Sequence, residues 1–214
     1  MIKGRNEMAK FYRNASMVIL LALLASGCLA PLSNSFTARS LGTGKIGLDG
    51  GMSVLVRQED SFVLPAFAIA LGVSSDFDLG VQMESASLGV FGKYSFINSK
   101  ERGFSLAGVL GAGAVASGSY AYAGPVLSYK SKAVEPYFVG RFNYVHYGES
   151  ENVLDMEPGT YTYVQFTLGS VFWLTPSIGL NIEGSAFAGN LGLQEFEDFG
   201  ASSFVVLGGV KVRF

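Results

Sequence analysis

The sequence predicts an all-β chain: a closed, antiparallel, up-and-down β-barrel of about ten strands, with eight as the competing count. Three observations carry the prediction. Glycine supplies 28 of 214 residues, beside 17 Phe and 10 Tyr, and only 15% of residues are charged. That glycine share is about twice the average. Apolar and polar residues then alternate with period two through most of the chain, the mark of strands with two unlike faces. Finally, the first such stretch runs from Gly44 to Arg57. Soluble strands average about 5–6 residues, whereas a tilted strand crosses a bilayer in about 9–11. The strands are therefore expected to be transmembrane.

Composition excludes other classes. With 49% hydrophobic residues and a mean hydropathy of +0.35, the chain is not intrinsically disordered, a state that needs low hydrophobicity and high charge. A net charge of −2 and a pI near 5.4 argue against a nucleic-acid surface. One cysteine, Cys28, permits neither an intramolecular disulfide framework nor a cysteine-rich metal site.

The first 27 residues read as an address. Lys3, Arg5, Lys10 and Arg13 precede the apolar run Met17–Leu24, the basic head and short core of a secretory signal. The run is too short for a membrane helix, which needs about 20 residues. It ends in Ala25-Ser26-Gly27-Cys28, which resembles the lipobox of bacterial lipoproteins, although Ala25 stands where that family usually has leucine. The resemblance implies acylation of Cys28 by the lipoprotein processing machinery, and Leu29 after it implies passage to the outer membrane. The alternative is an ordinary signal cleaved near Cys28. Residues 28–42 are expected to form a lipidated N-terminus and a small-residue tether, and residues 43–214 the barrel.

The strands follow in order. In the first, Ile46, Leu48, Met52 and Val54 share one face, and Lys45, Asp49 and Arg57 share the other. Val63, Pro65, Phe67, Ile69, Leu71 and Val73 form one face of the second. Leu79, Val81 and Met83 oppose Gln82 and Glu84 in a short third. Leu88, Val90, Tyr94 and Phe96 oppose Ser87, Lys93 and Ser95 in the fourth. Phe104, Leu106 and Leu110 open the fifth, and Tyr120–Lys130 is the sixth, with weaker contrast. Phe138, Phe142 and Tyr144 oppose Arg141 and Asn143 in the seventh. Val164, Phe166, Leu168, Phe172 and Leu174 form a face of the eighth. Ile178, Leu180 and Ile182 oppose Asn181 and Glu183 in the ninth. Phe204, Val206, Val210, Val212 and Phe214 oppose Lys211 and Arg213 in the tenth. A helix over the uncharged stretch Phe104–Tyr129 is disfavoured by five glycines and Pro125, each interior Gly costing about 1 kcal/mol and Pro about 3.

Connections fix the orientation. Ser74–Asp76, Asn98–Arg102, Lys130–Glu135 and Thr175–Pro176 are tight, whereas Gly148–Gly159 and Leu191–Gly200 are the longest. Outer-membrane barrels have short periplasmic turns and longer outer loops. The two long connections fall on one side, opposite both the anchor and the C-terminus, so both termini are expected to be periplasmic.

The chain ends Gly209-Val-Lys-Val212-Arg-Phe214. A terminal aromatic, alternating apolar residues and a glycine five positions earlier resemble the sorting signal of bacterial outer-membrane barrels. The resemblance implies recognition of Gly209, Val212 and Phe214 by the barrel-assembly machinery through strand pairing. A soluble strand sandwich is the alternative. In a barrel the apolar faces meet lipid and the polar faces meet the lumen. Lys45, Asp49, Arg57, Glu84, Lys93, Arg141, Glu183, Lys211 and Arg213 are expected inside with Gln82, Asn143 and Asn181, the two signs pairing across it. A plugged polar core or a narrow cation-favouring pore would both fit. Tyr94, Phe96, Trp173 and Phe214 at one end, and Tyr144 and Tyr147 at the other, fit two aromatic girdles. Tyr120, Tyr122, Tyr161 and Tyr163 have a parity that could turn them inward.

Chemistry has few candidates. The single histidine, His146, lies at the outer end of the seventh strand. Lipid A deacylases, which also are barrels, carry a serine two residues after the histidine, and here Gly148 stands there. No catalytic residue, cofactor or resident metal is assigned. Glu149, Glu151, Asp155 and Glu157, with Glu195, Glu197 and Asp198, place seven acids on one rim. They would attract cations, hold Ca²⁺, bridge lipopolysaccharide through divalent ions, or simply be solvated. The expected function is therefore an outer-membrane lipoprotein barrel with a structural or envelope-interaction role and no enzyme activity. Its expected partners are membrane lipid, lipopolysaccharide and the two processing machineries, with no nucleic acid.

Overall fold

In the computed structural model the described residues are 34, 36–56, 61–85, 87–115, 118–148, 158–189 and 204–214. They form ten strands: β1 (Ile46–Val56), β2 (Ser61–Gly72), β3 (Phe77–Glu84), β4 (Ser87–Ile97), β5 (Gly103–Val115), β6 (Gly118–Lys130), β7 (Val134–Tyr147), β8 (Gly159–Trp173), β9 (Ile178–Gly189) and β10 (Phe204–Arg213). Each strand pairs antiparallel with its neighbours in sequence, and β1 pairs with β10 to close the barrel. Closure removes both sheet edges, so the ladder peptides find partners within the wall.

The faces are inverted relative to a soluble sheet. In β9, Asn181, Glu183, Ser185 and Phe187 are buried, and Ile178, Leu180 and Ile182 are exposed. Leu110, Leu168, Val90, Phe142 and Met52 continue this exposed apolar belt around the outside. Such a contiguous apolar surface far exceeds what water-soluble monomers expose. The interior holds charge and hydrogen-bonding groups instead.

Local chemistry explains the irregularities. The β6–β7 ladder breaks at Gly124-Pro125, between the pairs Ala123–Phe142 and Val126–Val139, because proline has no N–H to give. A bulge at Ser95–Ile97 shifts β4 against β5. Inward glycines leave room for inward aromatics: a Cβ on Gly169 would collide with the Tyr137 ring directly across the ladder, and one on Gly111 with Tyr122. The abundant glycine is thus partly a packing device.

The short connections β2–β3, β4–β5, β6–β7 and β8–β9 share one end, called the turn side here, with the start of β1 and the end of β10. The turn before β3 is tied by Asn98 Nδ2, which donates to Ser75 O at 2.8 Å and to Asp76 Oδ1 at 3.1 Å.

Candidate functional site

The lumen is where the polar chemistry converges. Its main occupant comes from the chain itself. Asn34 and residues 36–42, expected from sequence to be part of a tether, run inward from the turn-side rim. Asn34, Thr37 and Ala38 are buried, and so are Phe36 and Arg39.

This segment joins no strand ladder, so its peptide groups must be satisfied by wall side chains. Lys93 Nζ donates to the carbonyls of Thr37 and Arg39, each at 2.8 Å, and lies 3.1 Å from Asp78 Oδ2. Three partners meet the three N–H donors of the ammonium. Between them, Ser95 Oγ donates to Ala38 O at 2.6 Å, and Ala38 N donates to Ser128 Oγ at 3.2 Å. Asp78 also accepts from Ser40 Oγ at 2.7 Å and Leu41 N at 3.1 Å. Deeper in, Asn34 N donates to Glu183 Oε1 at 2.8 Å and its amide to Thr167 Oγ1 at 2.7 Å. Phe36 packs on Phe91 with ring centroids 4.7 Å apart.

Charge locks the segment at the turn side. Arg39 grips the fully buried Glu135 with Nε at 2.8 Å and Nη2 at 2.6 Å, and Trp173 Nε1 donates to the same carboxylate at 2.9 Å. Bidentate guanidinium–carboxylate pairing is the strongest common form of this contact. Lys211 and Asp49 pair at 3.0 Å nearby. Beyond the segment the lumen is filled by side chains. Tyr137 Oη lies 2.6 Å from Glu183 Oε2 and 2.9 Å from Asn181 Oδ1. Arg141 donates to Gln165 Oε1 at 2.6 Å and stacks 4.5 Å over Tyr122, whose hydroxyl donates to Gln82 at 2.9 Å. Ser53 donates to Glu84 at 2.6 Å. Two voids, of about 40 and 20 Å³, border Phe36. At roughly 10–15 Å³ per water, each is large enough for a few waters at most.

The expected lumen residues fall into distinct places. Glu84, Lys93, Arg141, Glu183 and Lys211 are buried inside, with Gln82, Asn143 and Asn181. Asp49 and Arg213 are half-buried, and Lys45 is exposed at the turn-side mouth. Gly209 and Val212 lie in β10, and Phe214 N donates to Ile46 O at 2.9 Å across the seam. Cys28, Arg57 and all seven acids of the expected rim (Glu149, Glu151, Asp155, Glu157, Glu195, Glu197, Asp198) lie outside the described residues.

Two aromatic assignments need correction. Trp173 and Tyr147, expected in the girdles, are buried inside. Each has the parity opposite to its outward neighbours, Phe172 and His146. Tyr94, Phe96, Tyr144 and Phe214 do face outward, while Tyr120, Tyr122 and Tyr163 turn in. Sequence reasoning missed Arg39, Asp78 and Glu135. The second and third share the parity of Glu84 and Arg141 on their own strands, but lie one residue before the expected start of the third strand and in an expected turn. Arg39 had a subtler signal. The inward wall carries five acids (Asp49, Asp78, Glu84, Glu135, Glu183) and four bases (Lys93, Arg141, Lys211, Arg213) among the described residues, and Arg39 makes the charges equal.

His146 is exposed on the outer face, with Nδ1 3.1 Å from Thr160 Oγ1. Among the described residues, no three His, Cys, Asp or Glu side chains cluster as a metal site would require.

No protein-family model matches the chain, and no curated protein matches it. Solved structures similar to it include the N-terminal β-barrel domain of Pseudomonas aeruginosa OprF, at 11% identity and a TM-score of 0.42 over 81% of this chain and 99% of that one. The KdgM porin in complex with disordered oligogalacturonate is similar at 10% identity and a TM-score of 0.44, over 78% of this chain and 99% of that one. The outer-membrane protease OmpT from Escherichia coli is similar at 10% identity and a TM-score of 0.40, over 79% and 95%. Such distant likenesses extend to no site of this chain.

Proposed function

We propose that the chain is an outer-membrane β-barrel whose own N-terminal segment closes its lumen, and that it serves a structural or interaction role in the envelope. The observation that carries this reading is the segment formed by Asn34 and residues 36–42, held inside the barrel by Glu135, Lys93, Asp78 and Glu183. The inward charges are ligands for that segment and for one another. That engagement, among the described residues, favours a closed barrel over a narrow cation-favouring pore.

The membrane assignment is supported by the apolar exterior, the polar interior, strands of mostly ten or more residues and the terminal Phe214. Placement of the turn side in the periplasm follows from the rule that periplasmic turns are short. Acylation of Cys28 belongs to the same proposal. Lipopolysaccharide and membrane lipid are the proposed surroundings, and the lipoprotein and barrel-assembly machineries the proposed biogenesis partners.

The test is heat-modifiability. The Cys28→Ala mature chain, purified in detergent, should migrate faster unboiled than boiled and should precipitate when detergent is removed. Equal migration with full solubility in buffer would instead mark a soluble barrel.

A further inference from the structure

The turn-side mouth opens into a basin of about 560 Å³, within the size range of small-molecule sites. Its lining brings together cations from five parts of the chain. Arg39 comes from the inserted segment, Lys45 precedes β1, Lys100 lies in the β4–β5 turn, and Lys130 and Arg213 end β6 and β10. Among the described residues, no aspartate or glutamate lines it.

Three of these cations surround one aromatic ring. Arg213 Cζ lies 4.3 Å, Lys130 Nζ 4.8 Å and Arg39 Cζ 6.0 Å from the Trp173 ring. The one carboxylate in this cluster, Glu135, is already held twice by Arg39 and once by Trp173. Asp49 and Asp78 are likewise committed, to Lys211 and Lys93. Among the described residues, Asp76, Glu101 and the Phe214 carboxylate are the remaining acids at this end, and the Lys100 charge acts on Asp76. Among the described residues, none of them forms an ion pair with Lys45, Lys100, Lys130 or Arg213. Arg213 gives one hydrogen bond, from Nη2 to Thr37 Oγ1 at 3.1 Å, and its buried Nε has no partner. A buried guanidinium N–H without an acceptor is costly, and three cations around one ring against the single carboxylate of Glu135 leave an excess of positive charge that a bound anion would offset.

We propose that this basin binds a polyvalent oxyanion of the phosphate type, held by Arg213, Lys130 and Lys100 beside the Trp173 indole. The source is either a soluble phosphate compound or an anionic phospholipid headgroup reaching the rim. Binding of a soluble oxyanion does not depend on the membrane reading, whereas the headgroup source rests on it.

Trp173 is the only tryptophan in the chain, so its fluorescence reports this site alone. The full chain in zwitterionic detergent would be titrated with tripolyphosphate, ionic strength being held constant with KCl. A saturable change in emission is expected. Lys100→Gln with Lys130→Gln should weaken it at least tenfold, because each lost charged hydrogen bond is worth about a factor of ten or more. Lys132→Gln, outside the lining, should leave it unchanged. Heat-modifiability of each variant confirms that the barrel has formed. The source is resolved in vesicles. If a headgroup is the ligand, emission in phosphatidylcholine–phosphatidylglycerol vesicles starts at the saturated value and tripolyphosphate adds nothing. If the ligand is soluble, the titration is the same there as in pure phosphatidylcholine. A non-saturating response, or one shared by the folded double variant, overturns the proposal.

Discussion

The Arg39–Glu135 contact is the point at which the inserted segment can be loosened most cleanly. Arg39→Ala would leave Glu135, fully buried, with one hydrogen bond from Trp173 Nε1, a 3.5 Å approach from Ser128 Oγ and the more distant charges of Arg213 and Lys130. Breaking a buried pair by removing one partner costs about 3–5 kcal/mol. Arg39→Ala is expected near the top of that range, because a buried carboxylate loses its bidentate partner. Glu135→Ala is expected near the bottom, because the guanidinium can turn toward the basin, where it already donates to Lys100 O at 3.2 Å. Removing both takes away the stranded charge as well as the contact, so the pair should show a coupling energy of about 2–3 kcal/mol. With an m-value of about 2 kcal/mol/M in urea, the single variants shift the midpoint by roughly 1.5 M (Glu135→Ala) to 2.5 M (Arg39→Ala). The unfolding should be followed by loss of the fast-migrating gel form, since Trp173 emission responds to Glu135 directly. A coupling below about 0.5 kcal/mol, or an Arg39→Ala midpoint equal to that of the parent, would refute the claim that this pair holds the segment inside.

Three further outcomes follow from the geometry. Gly169→Val should lose about 1–3 kcal/mol by overpacking against Tyr137, whereas Gly184→Ala, with nothing within 4 Å of its Cβ position, should be neutral; thermal gel-shift midpoints compare them. Leu168→Lys puts a charge near the middle of β8 on the exposed belt, and should cost about 2–4 kcal/mol in phospholipid vesicles, measured as the folded fraction after insertion. Lys93→Met removes all three of that ammonium's contacts. It should expose Ala38→Cys, in a Cys28→Ala background, to maleimide at a rate well above that of Ala38→Cys alone.

Much of the wall was legible because barrel strands broadcast their parity. In β9 each residue's side of the wall follows from its position, and Asn181 and Glu183 could be placed inside without any structure. The same rule placed Tyr120 and Tyr122 as inward candidates. It would have placed Trp173 inside as well, had strand-end position not been given priority over parity. Boundaries failed where one residue mattered: starting the third strand at Leu79 lost Asp78, and ending a turn at Glu135 lost the acid that holds Arg39. The N-terminal segment was illegible for a different reason. Its small residues suit a flexible linker and equally suit a cramped lumen, and period two says nothing about a segment that pairs with no strand. Only the charge of Arg39, alone between residues 29 and 42, hinted at a fixed partner.

The central claim, that the chain fills its own lumen, is tested most directly by planar-bilayer conductance of the full mature protein after heat-modifiability has shown it folded. The account predicts a silent bilayer, because the inserted segment and the Tyr122–Arg141–Gln165 layer beyond it fill the lumen among the described residues. Discrete, cation-selective current steps from the folded protein would contradict it.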